Sequence, residues 1–337
     1  MPSPARFGPR SWGRDALMTK TVRPIAIFHE HQEWFRPLFA ELDRRETPYV
    51  RVDARRCFYD AGSQEREYSL LFNRMSPSAY LRSTCHGIYY TLSYLAHLER
   101  VGTRVINGTQ GFRVETSKAL QLSLFESLGL KYPRSLVISH PAAAADAARG
   151  LRFPVVVKAN IGGSGAGIVR YDTPEQLAAA VAAGTVDLGI DSTALVQEFV
   201  PARGGHIVRV EVVGRKFIYG IRVFSPEDVF NICPGDACQT TDGSALAGAA
   251  CAVDAASRGI RVEGYTPPPA VIADVERIFE AAGIDVGGVE YMIDDRDGEL
   301  LYYDINALSN FVAEAPRVVG FDPFVRLVDY LEAEAVP

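Results

Sequence analysis

A chain of 337 residues is long enough for two or three packed units. With 47% apolar and 23% charged residues it has the make-up of a globular protein, and no run of about 18 apolar residues offers a membrane span. A net charge of −6 argues against a nucleic-acid partner held by electrostatics, because there is no basic excess to neutralise phosphates.

Residues 1–22 place Arg6, Arg10, Arg14 and Lys20 among Pro, Gly and Ser without an apolar stretch, so a disordered lead-in is expected rather than a secretory signal. The five cysteines (Cys57, Cys85, Cys233, Cys238, Cys251) are odd in number and form no CxxC pair, which fits a reduced, cytoplasmic protein. Cys233, Cys238 and Cys251 lack zinc-site spacing and a nearby histidine; free thiols are expected.

From Arg23 the pattern alternates strand and helix. "PIAIF", "YVRVDA", "YSLLFN" and "TRVING" read as strands, the last ending in an Asn-Gly turn. "EWFRPLFAELDRR" and "GIYYTLSYLAHLERVG" have helical periodicity. Such alternation predicts a mostly parallel sheet with helices on its faces. Residues 115–129 form a helix starting near Thr116 or Ser117, followed by the strand "PRSLVIS" and an alanine-rich helix over 141–149. "VVVKA" is a strand, "PEQLAAAVAAG" a helix, "ALVQEFVP" a strand, and "HIVRVEVVGRKFIYGIRVF" a hairpin turning at Gly214. The Gly-, Ala-, Thr- and Pro-rich stretch 232–269 reads as a long loop. A helix over 270–282, the strands "GGVEYMID" and "ELLYYDIN", and a closing helix "PFVRLVDYLEAE" complete the chain.

The stretch "VVVKANIGGSGAGIVR" (155–170) runs an apolar strand into Lys158 and then a bare loop. A P-loop would need its lysine after the glycines, and a dinucleotide fingerprint would need GxGxxG opening a helix; neither fits. What fits is a strand–loop–strand flap, with glycines that let backbone N–H groups approach phosphate oxygens and Lys158 adding a point charge. A hairpin whose lysine faces water is the bland alternative. Further on, "GGVEYMIDDRDGELLYYDIN" puts Glu290 on one strand and Asp304 and Asn306 on the next. Residues i and i+2 of a strand share a face, so Asp304 and Asn306 point together and an antiparallel neighbour brings Glu290 beside them. Two carboxylates and an amide suit Mg²⁺ that keeps waters and shares phosphate oxygens. The competing reading is an edge pair with a solvated acidic face.

Taken in order, the lysine and glycine loop, the "QEF" strand and the carboxylate pair resemble the ATP-grasp superfamily, in the branch of ribosomal-protein glutamate ligases and, more distantly, glutathione synthetases. The resemblance covers about residues 23–335, including "FNRMSPSA" and "VINGTQGFRVETSK". It implies an α/β fold, α+β in its C-terminal part, with an N-terminal parallel α/β pre-grasp domain (23–112), a central lid (113–200) and a C-terminal unit carrying the metal site (201–337). It implies an ATP-dependent carboxylate–amine ligase that works through an acylphosphate. Lys118 and Lys158 would contact ATP phosphates, and Gly162, Gly163, Ser164, Gly165 and Gly167 would close over them. Gln197, Glu198 and Phe199 would form the adenine hinge, with Glu198 and Phe199 offering backbone groups. Glu290, Asp304 and Asn306 would hold Mg²⁺, with Mn²⁺ as a substitute. Arg209, Arg222 and Asn231 would face the γ-phosphate or the acceptor carboxylate. Small-molecule or peptide carboxylate and amine substrates and a homo-oligomer are expected, with no nucleic-acid or membrane partner.

The chain departs from the family pattern. Asp304 stands where the glutamate ligases usually have Glu, "ALSNF" replaces "SPG", Val229 replaces an arginine, and Ile207 occupies the position of a ribose-binding acid, with His206 open between a substitute for it and a loop histidine with no role. The insertion 232–269 is longer than in the relatives; it is expected near the acceptor site, where it would shape specificity, with a disordered loop of no further role as the alternative. Two other functions stay open: a nucleotide-binding protein without turnover, and a phosphotransferase that stops at a phosphorylated acid.

Overall fold

The computed structural model describes residues 23–82, 87–162, 167–224 and 260–335. Three sheets organise them. The first is wholly parallel and ordered β2-β1-β3-β4, from β1 (Ile25–His29), β2 (Tyr49–Asp53), β3 (Leu70–Arg74) and β4 (Arg104–Ile106). Helix α1 (Arg36–Arg44) follows β1 and carries Pro37 in its first turn, where a missing N–H costs nothing. Helix α2 (Gly87–Arg100) precedes β4.

Two short helices, α3 (Thr109–Glu115) and α4 (Lys118–Ser127), lead to the second sheet. The expected start near Ser117 is borne out: its hydroxyl accepts from Leu120 N–H and caps α4. Helix α3, over the residues before it, is an addition that the sequence reading did not make. The second sheet, ordered β5-β8-β6-β7, is antiparallel throughout: β5 (Ser135–Ile138), β6 (Val155–Ala159), β7 (Ile168–Tyr171) and β8 (Ala194–Glu198). Helices α5 (Ala144–Ala148) and α6 (Pro174–Ala182) cover it, and Thr173 caps the latter.

The third sheet, β11-β10-β9-β12-β13, consists of β9 (His206–Val213), β10 (Lys216–Phe224), β11 (Arg261–Tyr265), β12 (Val286–Ile293) and β13 (Leu300–Asn306). Gly214 makes the hairpin turn at φ +60°. Strand β11 corrects the reading of 232–269 as loop throughout: its residues 261–265 pair antiparallel with β10. Residues 232–259 of that stretch lie outside the described residues, as do residues 1–22 and four of the five cysteines. Helices α7 (Pro269–Ala282), α8 (Ala315–Val318) and α9 (Pro323–Glu334) complete the fold.

One hydrophobic core joins the first and third sheets, with Ile25, Leu38, Leu42 and Phe72 packed among Val213, Val286, Leu327 and Leu331. The second sheet has its own core, around Ile138, Val157, Leu177 and Val196. Among the described residues no helix is long and apolar enough to cross a membrane.

Candidate functional site

Strand pairing brings the acidic residues together. Glu290 on β12 lies directly opposite Asp304 on β13 and opposite Arg209 on β9, and Gly288 lies opposite Asn306 and Glu211. Directly paired residues share a face, so this row of polar side chains projects from one side of the third sheet. A bulge concentrates it further. Tyr291 pairs with Tyr302, which leaves Tyr303 as the extra residue beside Asp304. The Tyr303 hydroxyl donates to Glu290 Oε2 at 2.7 Å, so two consecutive side chains of β13 serve the same site.

The site is internally charge-paired. Lys118, the first residue of α4, places Nζ 2.8 Å from Asp304 Oδ1. Arg209 donates from Nε to Glu211 Oε1 at 2.5 Å and from Nη1 to Glu290 Oε1 at 3.1 Å. Burial pushes the Glu290 carboxyl above its ordinary range, against the opposing pull of Arg209. Lys158 enters from the second sheet and is buried near Lys118, Asp304 and Glu290; desolvation, reinforced by Lys118, brings its pKa down to about 7. A cation from α4 and one from the second sheet therefore converge on two carboxylates of the third sheet, as phosphate and metal binding would require.

Asn160, unremarked in the sequence, fixes the geometry of both lysines. It lies two residues after Lys158, and its Oδ1 accepts from Ser117 Oγ (3.1 Å) and Ala119 N–H (2.9 Å) at the start of α4. Its backbone carbonyl accepts from Lys118 N–H (3.2 Å), and its Nδ2 donates to Asp191 Oδ2 (2.7 Å). Behind Asp304, buried Glu115 accepts from the N–H groups of Ala307 and Leu308, and burial pushes its pKa up to about 7. Arg74, from the end of β3, donates to the Ser309 carbonyl and to Asn310 Oδ1 (2.9 Å) and so ties the first sheet to the loop after β13.

The other expected residues fall in different places. Gln197 Nε2 donates to Ser135 Oγ at 2.7 Å, and Glu198 Oε1 accepts from Arg152 N–H at 2.9 Å. The N–H groups of Glu198 and Phe199 already donate to the carbonyls of Arg134 and Pro154, both at 2.9 Å, so neither is available to adenine. Gly162 and Gly167 flank the flap, while Gly163, Ser164, Gly165 and Asn231 lie outside the described residues. Arg222 is a correction: it pairs with Val208 and stacks its guanidinium 4.1 Å over the Tyr265 ring, on the face away from Arg209. A perfectly regular hairpin about Gly214 and Arg215 would have put Arg222 opposite Ile207 and beside Arg209. The bulge between Phe217 and Tyr219 moves it by one residue and turns it over. His206 pairs with Phe224 and packs its ring 4.9 Å from that ring, so it too faces away from Ile207.

Glu290 and Asp304 offer carboxylate oxygens side by side. Asn306 Nδ2 lies 3.2 Å from Asp304 Oδ2 and 3.5 Å from Glu290 Oε1; turning its amide over would present an oxygen instead. This donor set suits a hard cation that keeps waters or shares ligand oxygens rather than one caged by protein alone.

The three-sheet arrangement, with lysines from two units meeting carboxylates on the third sheet, is the ATP-grasp fold. Residues 115–240 match the family model of the RimK-like ATP-grasp domain. A probable alpha-L-glutamate ligase from Teredinibacter turnerae is 30% identical over 143 residues, covering 42% of this chain and 46% of that protein. One from Shewanella loihica is 27% identical over 216 residues, 60% of this chain and 71% of that protein. The chain thus spans about half the length of the first of these relatives. Among solved structures, the ATP-grasp ligase PsnB with a phosphomimetic variant of its minimal precursor, Mg and ADP superposes with a TM-score of 0.66 at 18% identity, covering 94% of this chain and 100% of that one. The RimK domain ATP-grasp protein of Sphaerobacter thermophilus gives 0.63 at 19% identity over 92% and 99% of the two chains. The VanG D-Ala:D-Ser ligase of Enterococcus faecalis gives 0.64 at 15% over 93% and 99%.

Proposed function

We propose that this protein is an ATP-dependent carboxylate–amine ligase. The observation that carries the reading is the meeting of Lys118 and Lys158 with Glu290 and Asp304 across two sheets. A substrate carboxylate oxygen attacks the γ-phosphorus of ATP, the bond from that phosphorus to the β–γ bridging oxygen breaks, and ADP leaves. The amine nitrogen then attacks the acyl carbon of the acylphosphate, the carbon–oxygen bond to phosphate breaks, and an amide forms as the nitrogen loses a proton.

Little covalent chemistry falls to the protein; its part is positioning and electrostatics. Lys158 and Lys118 hold phosphate oxygens, and Arg209 neutralises charge on the transferring group. Glu290, Asp304 and Asn306 would hold Mg²⁺, for which Mn²⁺ is a substitute, and the ion would supply charge neutralisation at the phosphates. Small acids or peptides are the proposed acceptors, a reading supported by the D-Ala:D-Ser ligase and the precursor-bound PsnB among structures of similar fold. A cytoplasmic homo-oligomer is the proposed working form.

The test is ADP release from Mg-ATP across a matrix of amino acids, small carboxylic acids, peptides and amines, with Asp304→Ala as control. ADP that requires both an acid and an amine supports the ligase. ADP from an acid alone replaces it with a phosphotransferase, and nucleotide binding without any ADP release replaces it with a binding protein.

A further inference from the structure

Strand β13 carries two of the proposed metal ligands, Asp304 and Asn306, and it is an edge strand of its sheet. Backbone groups on such an edge have no strand to pair with and must find other partners. Ile305, between the two ligands and 1% exposed, gives both of its groups to one side chain. Gln121 Oε1 accepts from Ile305 N–H, and Gln121 Nε2 donates to the Ile305 carbonyl, both at 3.0 Å. A carboxamide offers a donor and an acceptor side by side, as a peptide group does, so Gln121 stands in for a further strand. Its other N–H donates to the Val114 carbonyl at 3.1 Å; turned over, its oxygen would face two carbonyls, so the amide has one orientation. The Ile305 N–H belongs to the peptide from Asp304 and its carbonyl to the peptide into Asn306. Both peptides that link the ligands are therefore held by Gln121.

Gln121 lies three residues after Lys118 on α4, hence on the same side of that helix. Two links thus join this side of α4 to β13. The Lys118–Asp304 ion pair is made by groups that phosphate and metal would engage. The Gln121 link touches only backbone on β13 and leaves the side chains of Asp304 and Asn306 to a cation. We infer that Gln121 is a positioning residue for the metal site. It fixes the peptides between the two ligands, and so the directions in which Asp304 and Asn306 project, whichever partner Lys118 holds. Without its amide, two buried backbone groups of Ile305 would be unpaired, and the end of β13 would shift to satisfy them.

This inference rests on the metal role proposed for Asp304 and Asn306, and calorimetry of ADP binding across a Mg²⁺ titration separates the two. In the unaltered protein Mg²⁺ tightens ADP binding, and Asp304→Ala abolishes that effect. Gln121→Met keeps length and burial but pairs with no backbone group. It is expected to raise the half-effective Mg²⁺ concentration about tenfold, the scale on which partners that orient metal ligands act, with ADP affinity in EDTA little changed. Gln121→Asn, which draws the amide back by one methylene, shifts the midpoint the same way and serves where the methionine variant does not fold. Leu42→Ala, a cavity in the core between the first and third sheets, is expected to lower urea stability at least as much and to leave the midpoint in place. An unchanged midpoint in a folded Gln121 variant, with Asp304→Ala still insensitive to Mg²⁺, overturns the inference and leaves the ligase reading standing. An equal shift in Leu42→Ala also overturns it, since loss of stability alone would then account for the effect. If Mg²⁺ does not tighten ADP binding in the unaltered protein, the metal role falls and this inference with it.

Discussion

Lys158 is the residue whose ionisation reports most directly on the site. Its pKa of about 7 lies well below the ordinary 10.5 because it is buried and faces Lys118. Between those two values the unfolded chain holds a proton that the folded chain has released, so this lysine makes stability rise with pH across the window. Lys158→Met should flatten that rise, as urea unfolding at pH 7 and pH 9 will show. An arriving phosphate favours the protonated form, so ADP binding at pH 8 is expected to take up a proton, and less of one at pH 6. Calorimetry in buffers of different ionisation enthalpy measures this directly. The two hairpin arginines make a second test. Arg209 contacts Glu290 whereas Arg222 lies over Tyr265 on the other face. Arg209→Ala should lower turnover by roughly a hundredfold or more, and Arg222→Ala only by a few-fold. Steady-state ADP release compares them.

At the level of elements, the site depends on joints between segments distant in the chain. Asn160 joins the end of β6, the start of α4 and the turn at Asp191. Asn160→Ala removes three side-chain hydrogen bonds and should cost roughly 2–3 kcal/mol, measurable as a lower urea midpoint with an unchanged slope. Period-two alternation and turn residues made β9, β10, β12 and β13 legible in the sequence, along with the face shared by Asp304 and Asn306. The bulge in β10 was not legible, because nothing in "KFIYGIRVF" marks Ile218 as surplus, and it turns Arg222, which the family resemblance put toward the γ-phosphate or the acceptor carboxylate, away from Arg209. Strand β11 was hidden by the Gly, Ala and Pro around it; its pairing with β10 is tertiary. Glu211 did carry a signal, being an acid two places from Arg209 in a valine-rich strand. Asn160 carried none, since its partners come from two other segments.

Across the whole molecule, the sheets are coupled unequally. The first and third share one core, and Arg45, just after α1, adds ion pairs to Asp329 and Glu332 of α9. The second sheet keeps a core of its own except at Leu195 of β8, which packs with Leu122 and Phe125 of α4 against the third sheet, and it meets the others through contacts such as Asn160 with α4 and Tyr80 Oη donating to the Ile161 carbonyl. Units with separate cores open separately. Native-state hydrogen exchange should therefore give β1, β3, β9 and β12 a common opening free energy, and β6 and β7 a lower one. Bound Mg-ADP should raise the latter toward the former. A single value for all six strands without nucleotide would contradict this picture.

The surplus residue at Tyr303 also bears on how the gene can change length. Losing that one codon would leave Glu290 facing Asp304 and Tyr291 facing Tyr302, since those pairs already close up around it; the chain would forfeit a hydroxyl and keep its alternation. Losing Ile305 instead would break the alternation between Asp304 and Asn306 and part the two from a common face. Natural shortening of this strand is therefore expected at one position and hardly at its neighbours.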